Sequence, residues 1–514
     1  MAMRLSGLVT GMDTEAIVSE LMEAQNLKKK KVTDAKTKLE WKQTAWKDLN
    51  KKLTSFYNGS VSKLRLASTY NLKKASLSDS SKASISADSS AVVGNYSMEV
   101  KDIASAQFLT SGKTSITSAS QKLSEVDADM VGQTITVKGA SGEQSITIDE
   151  NTKVSDLVST MKKAGINANY DTTQKKFFLS SKETGAANSF SISDGTADGS
   201  VLAKIGLANV EATTTDGSVS YKVNNSDFTD GDTFASGMAL VSAKDSKIIL
   251  NGAELTSSSS TVNANGLSIS LTSKTKEGEP VNFSVSNDID GVYDTIKKSL
   301  KEYNELMKEM NTLYNAASSR GYDPLSSDEK KALSDDEVEE WEKKIKDSLL
   351  RRDSTLEGIM SGMRSSLMTT TTVNGTKYAL SSFGITTSTN YQEGGLLHIH
   401  GDPDDDVFSG DADKLKKALA ENPEDTVAAL TNIFENLRTD MFNRMKATEY
   451  SSGLTFYNDK QMDTELTNYK KDIKTWEDKL ADMEDAYYKK FTAMETAMQK
   501  LQSQTSSITG LLGM

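Results

Sequence analysis

Apolar residues recur at helical spacing at both ends of the chain. Alternating steps of three and four residues from Val18 lead to Phe56, and nine of the twelve positions on this path are apolar. Steps of four and three from Met462 lead to Tyr487 through positions that are all apolar or aromatic. Such stripes are typical of coiled-coil helices. Because neither helix can bury its own stripe, we predict that the two terminal helices pair in antiparallel orientation.

The predicted C-terminal helix has an irregularity after Tyr487. A second successive step of four leads to Phe491, and the stripe then continues to Leu501. Two successive steps of four form a stutter, which locally unwinds a left-handed supercoil. At the other end of the chain, Asp13 precedes the first apolar stripe and is the predicted N-cap of a helix that extends to about Leu72.

The middle of the chain, from about residue 75 to residue 286, differs from the two ends in composition and in hydrophobic pattern. It is rich in Ser, Thr and Gly, and short segments alternate apolar with polar residues. This alternation predicts half-buried antiparallel strands. One helix, residues 154–164, is predicted to interrupt them because four apolar residues share a face. The predicted strands begin near Tyr96, Thr134, Ser145, Phe177, Ser189, Lys247, Leu267 and Val281.

Helical patterns return after Asp288. Apolar and aromatic residues fill every stripe position from Ile289 to Tyr314. Capping-box sequences at Ser326 and Ser334 predict two short helices, of which the second carries Trp341. The Asn422-Pro423 pair predicts the start of another helix, since proline is favoured at the first helical position. Strand-like segments beginning at Tyr378 and Leu396 predict a small sheet.

The two histidines of the chain are the only candidates for metal chemistry. His398 and His400 are two residues apart, so on a strand they lie on one face, and the carboxylates that begin at Asp402 follow them. The alternative interpretation is an acidic turn after a strand. No four-ligand spacing is identifiable, and Val407 stands where a calcium loop starting at Asp402 needs glycine.

Composition limits the functional class. The chain has 514 residues, a net charge of −12 and no cysteine. The acidic balance argues against nucleic acid or an anionic membrane as a partner. No cleavable secretory signal, no apolar run of membrane-spanning length, and no phosphate loop or nucleophile elbow is recognisable. The basic stretch at residues 27–32 is interpreted as the solvated face of a helix. We expect no enzymatic activity and no cofactor.

These patterns predict a multidomain α+β protein with an antiparallel coiled-coil stalk formed by both termini and with inserted antiparallel β-rich head domains. Residues 1–56 and 456–514 are predicted to be coiled-coil leg segments. Residues 57–75 together with 287–455 are predicted to form a helical stalk domain with a small sheet. Residues 76–286 are predicted to form two head domains.

Several segments carry a resemblance to a known family. Residues 6–25, "SGLVTGMDTEAIVSELMEAQ", closely resemble the N-terminal motif of the bacterial flagellar filament cap, or hook-associated protein 2, family. Residues 151–186 resemble the flagellar hook IN motif, with Met161-Lys162 where Ile-Asn is usual. The acidic turn at Asp402 departs from the family pattern. Similar segments in the C-terminal half are residues 321–356, 414–430 and 469–514.

The resemblance implies a non-enzymatic filament cap. Such proteins are secreted through the flagellar channel, and at the distal tip of the extracellular filament they form a small ring of about five subunits. The implied partners are further copies of the chain, flagellin, hook-filament junction proteins and a cytoplasmic export chaperone. The implied function is to promote the folding and insertion of flagellin during filament assembly.

The apolar residues near the two termini are the candidate assembly contacts. A chain terminus is normally polar, whereas this chain ends in an apolar tip. We therefore predict that neighbouring subunits or filament proteins cover these residues. The predicted contacts are Leu8, Ile17, Val18, Leu21, Phe491, Met494, Met498, Leu501, Leu511 and Leu512.

Two other functions remain open at this stage. The Ser/Thr-rich head could make the chain a surface adhesin that binds host glycans or mucin, with the helices as an anchor. A metal-dependent enzyme centred on His398 and His400 is the third alternative. Flagellin is the nearest related class, and the motifs at Asp13 and Asn151 argue against it.

Overall fold

The computed structural model describes residues 13–215 and 217–511; for Tyr391 and residues 509–511 it describes the backbone alone. The described residues form two compact units. The helical unit lies within Met1–Tyr70 and Ile289–Met514, and the β unit is Asn71–Asp288. All strand pairs within the described residues are antiparallel. The predicted α+β fold class is therefore confirmed.

The bounds of the α-helices are α1 (Thr14–Phe56), α2 (Ser62–Leu64), α3 (Leu123–Val126), α4 (Val154–Lys163), α5 (Ser200–Ala203), α6 (Ile289–Tyr314), α7 (Ser327–Lys331), α8 (Asp335–Asp347), α9 (Ser354–Leu367), α10 (Lys414–Glu421), α11 (Pro423–Arg444) and α12 (Asp459–Leu511). Helices α1, α4, α6, α7, α8, α11 and α12 lie in predicted helical segments, whereas α3, α5, α9 and α10 were not predicted.

The strands lie mainly in the β unit. Their bounds are β1 (Lys73–Leu77), β2 (Ala83–Ala87), β3 (Gly94–Asp102), β4 (Phe108–Thr110), β5 (Thr134–Gly139), β6 (Gly142–Thr147), β7 (Ile166–Asp171), β8 (Lys176–Ser181), β9 (Ser191–Ser193), β10 (Val210–Thr215), β11 (Ser218–Val223), β12 (Ser226–Phe228), β13 (Ala239–Val241), β14 (Ser246–Leu250), β15 (Ala253–Ser257), β16 (Thr261–Ala264), β17 (Leu267–Leu271), β18 (Val281–Asn287), β19 (Thr371–Val373), β20 (Thr376–Tyr378), β21 (Ile385–Thr387) and β22 (Leu397–Ile399).

The β unit contains two hydrophobic cores. The first core lies between the sheet β1-β18-β3-β14-β15 and the sheet β16-β17-β2, with Met98, Ile248 and Ile269 fully buried. The second core uses residues between Leu109 and Leu240, from the sheets β12-β11-β10-β9-β5-β6 and β13-β4-β8-β7 and from α4. The segment that resembles a hook IN motif supplies α4, β7 and β8 to this second core.

The helical unit is built around α1, α6, α9, α11 and α12. Helix α9 contacts both α6 and α11, and α1 contacts α6 and α12. The predicted stripe of α6 is confirmed, since its central residues from Tyr293 to Met310 are buried. The predicted capping boxes are also confirmed: Ser326 and Glu329 cap α7, and Ser334 and Glu337 cap α8.

Three local predictions need correction. The first helix does not extend to Leu72 without interruption, because a π-helical turn, Tyr57–Val61, follows α1 and a 3-10 turn, Ala67–Tyr70, follows α2. The segment that starts at Tyr378 is not one strand, because a 3-10 turn, Leu380–Phe383, separates β20 from β21. Asn422 does not cap α11 with its side chain, which instead donates to Asp425.

Candidate assembly surface

Helices α1 and α12 lie side by side in antiparallel orientation. Lys29 of α1 forms an ion pair with Glu477 of α12 at 3.0 Å. Further along α1, Gln43 donates to Asp463 of α12 at 2.6 Å. Higher numbers on α1 therefore meet lower numbers on α12. The predicted antiparallel pairing of the terminal helices is confirmed within the helical unit.

The apolar stripe of α12 faces this pairing. Between Lys460 and Asp482, the stripe positions are buried or half-buried and every other residue is exposed. The stripe positions in this stretch are Met462, Leu466, Tyr469, Ile473, Trp476 and Leu480. A period of alternating fours and threes read from the sequence thus identifies the contact face of α12.

The stripe of α1 needs a correction near its N-terminus. Met22 is buried and Leu21 is 39% exposed, whereas the sequence pattern placed Leu21 on the stripe. Val18, Met22 and Leu480 are the buried members of a small cluster, and α12 surrounds them with Met483, Tyr487, Tyr488 and Phe491. The stutter between Tyr487 and Phe491 therefore lies where α1 also makes a step of four, from Val18 to Met22. The buried positions of α1 and α12 therefore shift together in this cluster.

The end of the pair near the α11–α12 loop is held by an aromatic stack and by hydrogen bonds to the backbone. Trp46 is 1% exposed and stacks on Tyr457, with ring centroids 5.6 Å apart and planes 8° apart. Asn50 of α1 donates to the Leu454 carbonyl at 3.3 Å and accepts from the Phe456 backbone N–H at 2.8 Å. These contacts fix the loop that leads into α12 against α1.

A second face of α1 carries contacts that the sequence analysis did not anticipate. The insert, defined as residues 316–353 and containing α7 and α8, docks on lysine side chains of α1. Lys30 donates to the Pro324 carbonyl at 3.2 Å, and Lys38 contacts Asp323 at 2.6 Å. The pKa of Asp323 lies below its ordinary value of 3.8 mainly because Lys38 donates to it.

The signal for this docking was present in the sequence. Lys30, Asp34, Lys38 and Lys42 are spaced by four residues and so lie along one side of α1. Lys42 pairs with Asp353, the N-cap of α9, at 2.8 Å. The interpretation of residues 27–32 as a solvated face is correct for the exposed Lys28 and Lys31 and wrong for Lys29 and Lys30.

The stripe of α12 continues beyond the part covered by α1. Met494 is half-buried, whereas Met498, Leu501 and Ile508 are 46%, 57% and 57% exposed. None of the helices in the described part of the chain, α12 included, combines the length and the hydrophobicity needed to cross a lipid bilayer. Met498, Leu501 and Ile508 thus form an exposed apolar row in the C-terminal part of α12, whose other residues there are mostly polar.

The predicted contact residues fall into three groups. Ile17, Val18, Phe491 and Met494 are buried or half-buried, and Val18 and Phe491 pack together within the α1/α12 pair. Leu21, Met498 and Leu501 are exposed. Leu8 and Leu512 lie outside the described residues, and for Leu511 only the backbone, the last residue of α12, is described. Their role in assembly stays a prediction.

The two histidines lie at the end of β22: His398 is within the strand, and His400 is the first residue after it. They share a face, as their spacing predicted, and both contact carboxylates of the turn that follows. In the turn itself Asp402 is buried and Asp405 is half-buried, so the turn is not fully exposed. Among the His, Asp and Glu side chains that the structure describes, no group of three or more has the arrangement of a metal site.

Two family models match the chain. The model described as flagellar hook-associated protein 2 N-terminus matches residues 10–107, and the model described as flagellar hook-associated protein 2 C-terminus matches residues 243–503. These ranges include α1, the first core of the β unit, and α12 as far as residue 503. The interval between them, residues 108–242, coincides with the region that forms the second core.

Named relatives match in the same way. Flagellar hook-associated protein 2 of Halalkalibacterium halodurans is 26% identical over 98% of this chain and 99% of its own length. A-type flagellar hook-associated protein 2 of Pseudomonas aeruginosa is 28% identical over 59% of this chain and 62% of its own length. The chain also matches the crystal structure of domains D1, D2 and D3 of the flagellar cap protein FliD from Escherichia coli. The match covers 77% of this chain and 95% of the FliD chain, with 20% identity and a TM-score of 0.48.

Proposed function

Because the chain belongs to the flagellar hook-associated protein 2 family, we propose that it caps the growing flagellar filament. Copies of the chain associate as a small ring at the distal tip, where they promote the folding and insertion of flagellin. The protein acts there by binding and not by catalysis. Hook-filament junction proteins and an export chaperone are further proposed partners, and family membership is their support.

The observation that carries this proposal is the change in exposure along α12. The same stripe packs with α1 as far as Phe491, is half-buried at Met494 and is exposed at Met498, Leu501 and Ile508. An apolar row on a polar helix is stabilised when another protein covers it. We therefore propose that subunits or filament proteins bind this row, which we name the distal row (Met498, Leu501 and Ile508).

The test is complementation of a motile strain that lacks its own cap protein. Replacing Leu501 and Ile508 with Asp places two carboxylates on the distal row. We expect such cells to secrete flagellin into the medium and to grow few or no filaments, because a charged row cannot be desolvated in the interface. Electron microscopy of filaments and the amount of free flagellin in the medium measure the effect.

The matched control carries the same two charges on the opposite side of the same helix. Gln499 and Ser503 are exposed and lie away from the distal row, so replacing both with Asp adds the same charge to α12. We expect this control to grow filaments of ordinary length. Normal filaments with the Leu501→Asp, Ile508→Asp variant would remove the distal row from the proposal.

The adhesin alternative, in which residues 76–286 bind glycans, has no support in the names of the matched relatives. It stays a prediction that cell-binding or mucin-binding measurements on this region can test. The metal-dependent enzyme has no positive observation in its favour in the described part of the chain, and we do not propose it.

A further inference from the structure

The two histidines of the chain both hold the same acidic loop. The acidic loop is defined as residues 402–411, with the sequence "DPDDDVFSGD", and it contains five aspartates. His398 contacts Asp405 in the middle of the acidic loop, and His400 contacts Asp411 at its end. The acidic loop forms one wall of a cleft of about 520 Å³, whose other walls are α6 and β22.

His398 lies between two carboxylates. Its Nδ1 is 2.9 Å from Asp405 Oδ2, and its Nε2 is 3.0 Å from Glu393 Oε2. A carboxylate can only accept a hydrogen bond, so both ring nitrogens must carry a proton to make both contacts. Only the imidazolium form does so. When the ring loses a proton, one nitrogen lone pair faces a carboxylate and that contact becomes repulsive.

His400 makes a different pair of contacts. Its Nδ1 is 2.8 Å from Asp411 Oδ2, and its Nε2 is 2.7 Å from the Thr386 hydroxyl. A hydroxyl can donate as well as accept, so a neutral His400 can satisfy both contacts. The ring also stacks on Phe408, with centroids 4.2 Å apart. His400 therefore holds its end of the acidic loop in either protonation state.

The start of the acidic loop is held by a permanent cation. Lys297 of α6 contacts Asp402 at 2.6 Å and Asp404 at 2.7 Å. Partial burial acts to lower the pKa of Lys297, but the hydrogen bonds to these two carboxylates outweigh it and raise the pKa. Lys297 consequently stays charged across the neutral range. The attachment of the middle of the acidic loop, in contrast, depends on the protonation state of His398.

Asp405 couples this attachment to the backbone of the acidic loop. Its Oδ1 accepts from the Val407 and Phe408 N–H groups at 2.9 and 3.0 Å. Burial acts to raise the pKa of Asp405, but these two bonds and His398 outweigh it and lower the pKa. In β21, the strand that pairs with β22, the residue opposite His398 is Thr386, which carries no charge. The remaining charged groups along the cleft, all on α6, are Asp294, Lys298, Lys301, Glu305 and Lys308.

We propose that His398 is a pH-operated latch: its protonated ring holds the middle of the acidic loop against Glu393 and closes the wall of the cleft, and loss of the proton releases the loop. The direction is fixed by the contacts, since both partners of the ring are carboxylates. The acidic loop is held while the ring carries both protons, and it opens when a rise in pH removes one of them. This inference does not depend on the proposed capping function.

Hydrogen exchange of the acidic loop, measured on the full chain and corrected for the intrinsic pH dependence of exchange, tests the latch. We expect the protection of the Val407 and Phe408 amides to fall roughly tenfold or more between pH 5.5 and 8.5, as expected for loss of a charged hydrogen bond. The midpoint should coincide with the titration of the His398 ring followed by NMR. Assignment is direct because the chain has only two histidines. Equal protection at both pH values would overturn the proposal.

Three variants separate the latch from a merely structural contact. His398→Gln should lose the pH dependence, whereas His400→Gln should keep it. Glu393→Gln is the sharpest variant, because an amide can donate to the neutral ring, so the acidic loop should stay protected at pH 8.5. If Glu393→Gln still opens at pH 8.5 as the parent does, the latch is wrong. This variant keeps the proposal testable even if His398→Gln does not fold.

Discussion

Residues 462–491 and residues 498–508 of α12 both carry apolar residues on one side of the helix, yet they differ in what covers them. Helix α1 covers the first part, through pairs such as Lys29 with Glu477 and the cluster around Leu480. The distal row is exposed. The pattern of apolar residues identifies the contact face of a helix, but only the fold identifies the partner. The covered part contributes to the stability of the subunit, and the distal row is the surface that we propose another chain covers.

The largest effect in the covered part is expected at Trp46. Replacing Trp46 with Ala removes a fully buried ring and its stack on Tyr457, and should lower the free energy of unfolding by about 3–5 kcal/mol. Urea denaturation followed by circular dichroism at the helical band measures this loss. The matched control is Trp476→Ala in the same pairing, where the ring is half-exposed and the loss should be clearly smaller. Equal losses would mean that packing is uniform along the pair.

A leucine in each part of α12 gives the most direct comparison. Leu480→Ala should cost about 2–4 kcal/mol of unfolding free energy because Leu480 is buried against Val18 and Met22. Leu501→Ala should change the stability by no more than about 0.5 kcal/mol because its side chain is already 57% exposed. The same denaturation experiment measures both. A large loss from Leu501→Ala would show that the distal row is covered within the subunit in solution.

The ion pair between the helices should contribute less than the apolar contacts. Glu477→Gln removes the partner of Lys29 at a site where both side chains are about a third or more exposed. We expect a loss of at most about 1 kcal/mol that shrinks as salt is added, since exposed ion pairs are screened. Denaturation at 50 mM and 500 mM salt compares the two conditions. A loss that does not change with salt would contradict an electrostatic origin.

The smallest effect is expected at the contact of the insert with α1, and it should depend on pH. Because the pKa of Asp323 is lowered by Lys38, this contact stabilises the fold above the ordinary aspartate pKa of 3.8 and is lost as the pH falls through the lowered value. Asp323→Asn should therefore be less stable than the parent at pH 7 and indistinguishable from it near pH 2. Denaturation at the two pH values measures the difference, and a difference that persists at pH 2 would show that charge is not the cause.

Local signals in the sequence were sufficient for the long helices α1, α6, α11 and α12 and for some of the strands. Capping boxes at Ser326 and Ser334, the proline of α11 and the stripes of α6 and α12 involve residues within a few turns of one another. Period-two alternation located eight of the eighteen described strands of the β unit, namely β3, β5, β6, β8, β9, β14, β17 and β18. Each of these patterns lies within a single helix or strand, so the sequence alone can identify it.

The contacts that sequence reasoning missed join distant segments. The lysines of α1 bind backbone carbonyls and carboxylates of the insert, and nothing in a single sequence pairs Lys38 with Asp323. In the same way, the spacing of His398 and His400 gave their common face but not Glu393 or the closing of the acidic loop. The burial of Met22 in place of Leu21 was also missed, and Met22 packs in the cluster that contains the stutter residues Tyr487 and Phe491.

The π turn between α1 and α2 has a consequence for how this long helix tolerates changes of length. A π turn contains an extra residue compared with the α turn that it replaces. Removing Gly59, whose Cβ position is open, would return the segment to α-helical winding and leave Leu64 at nearly the same angle relative to Trp46 and Leu53. A single deletion there would thus keep the buried face beyond the turn while the pairing with α12 stays in place. An insertion or deletion within α1 itself would have no π turn to absorb the change in length.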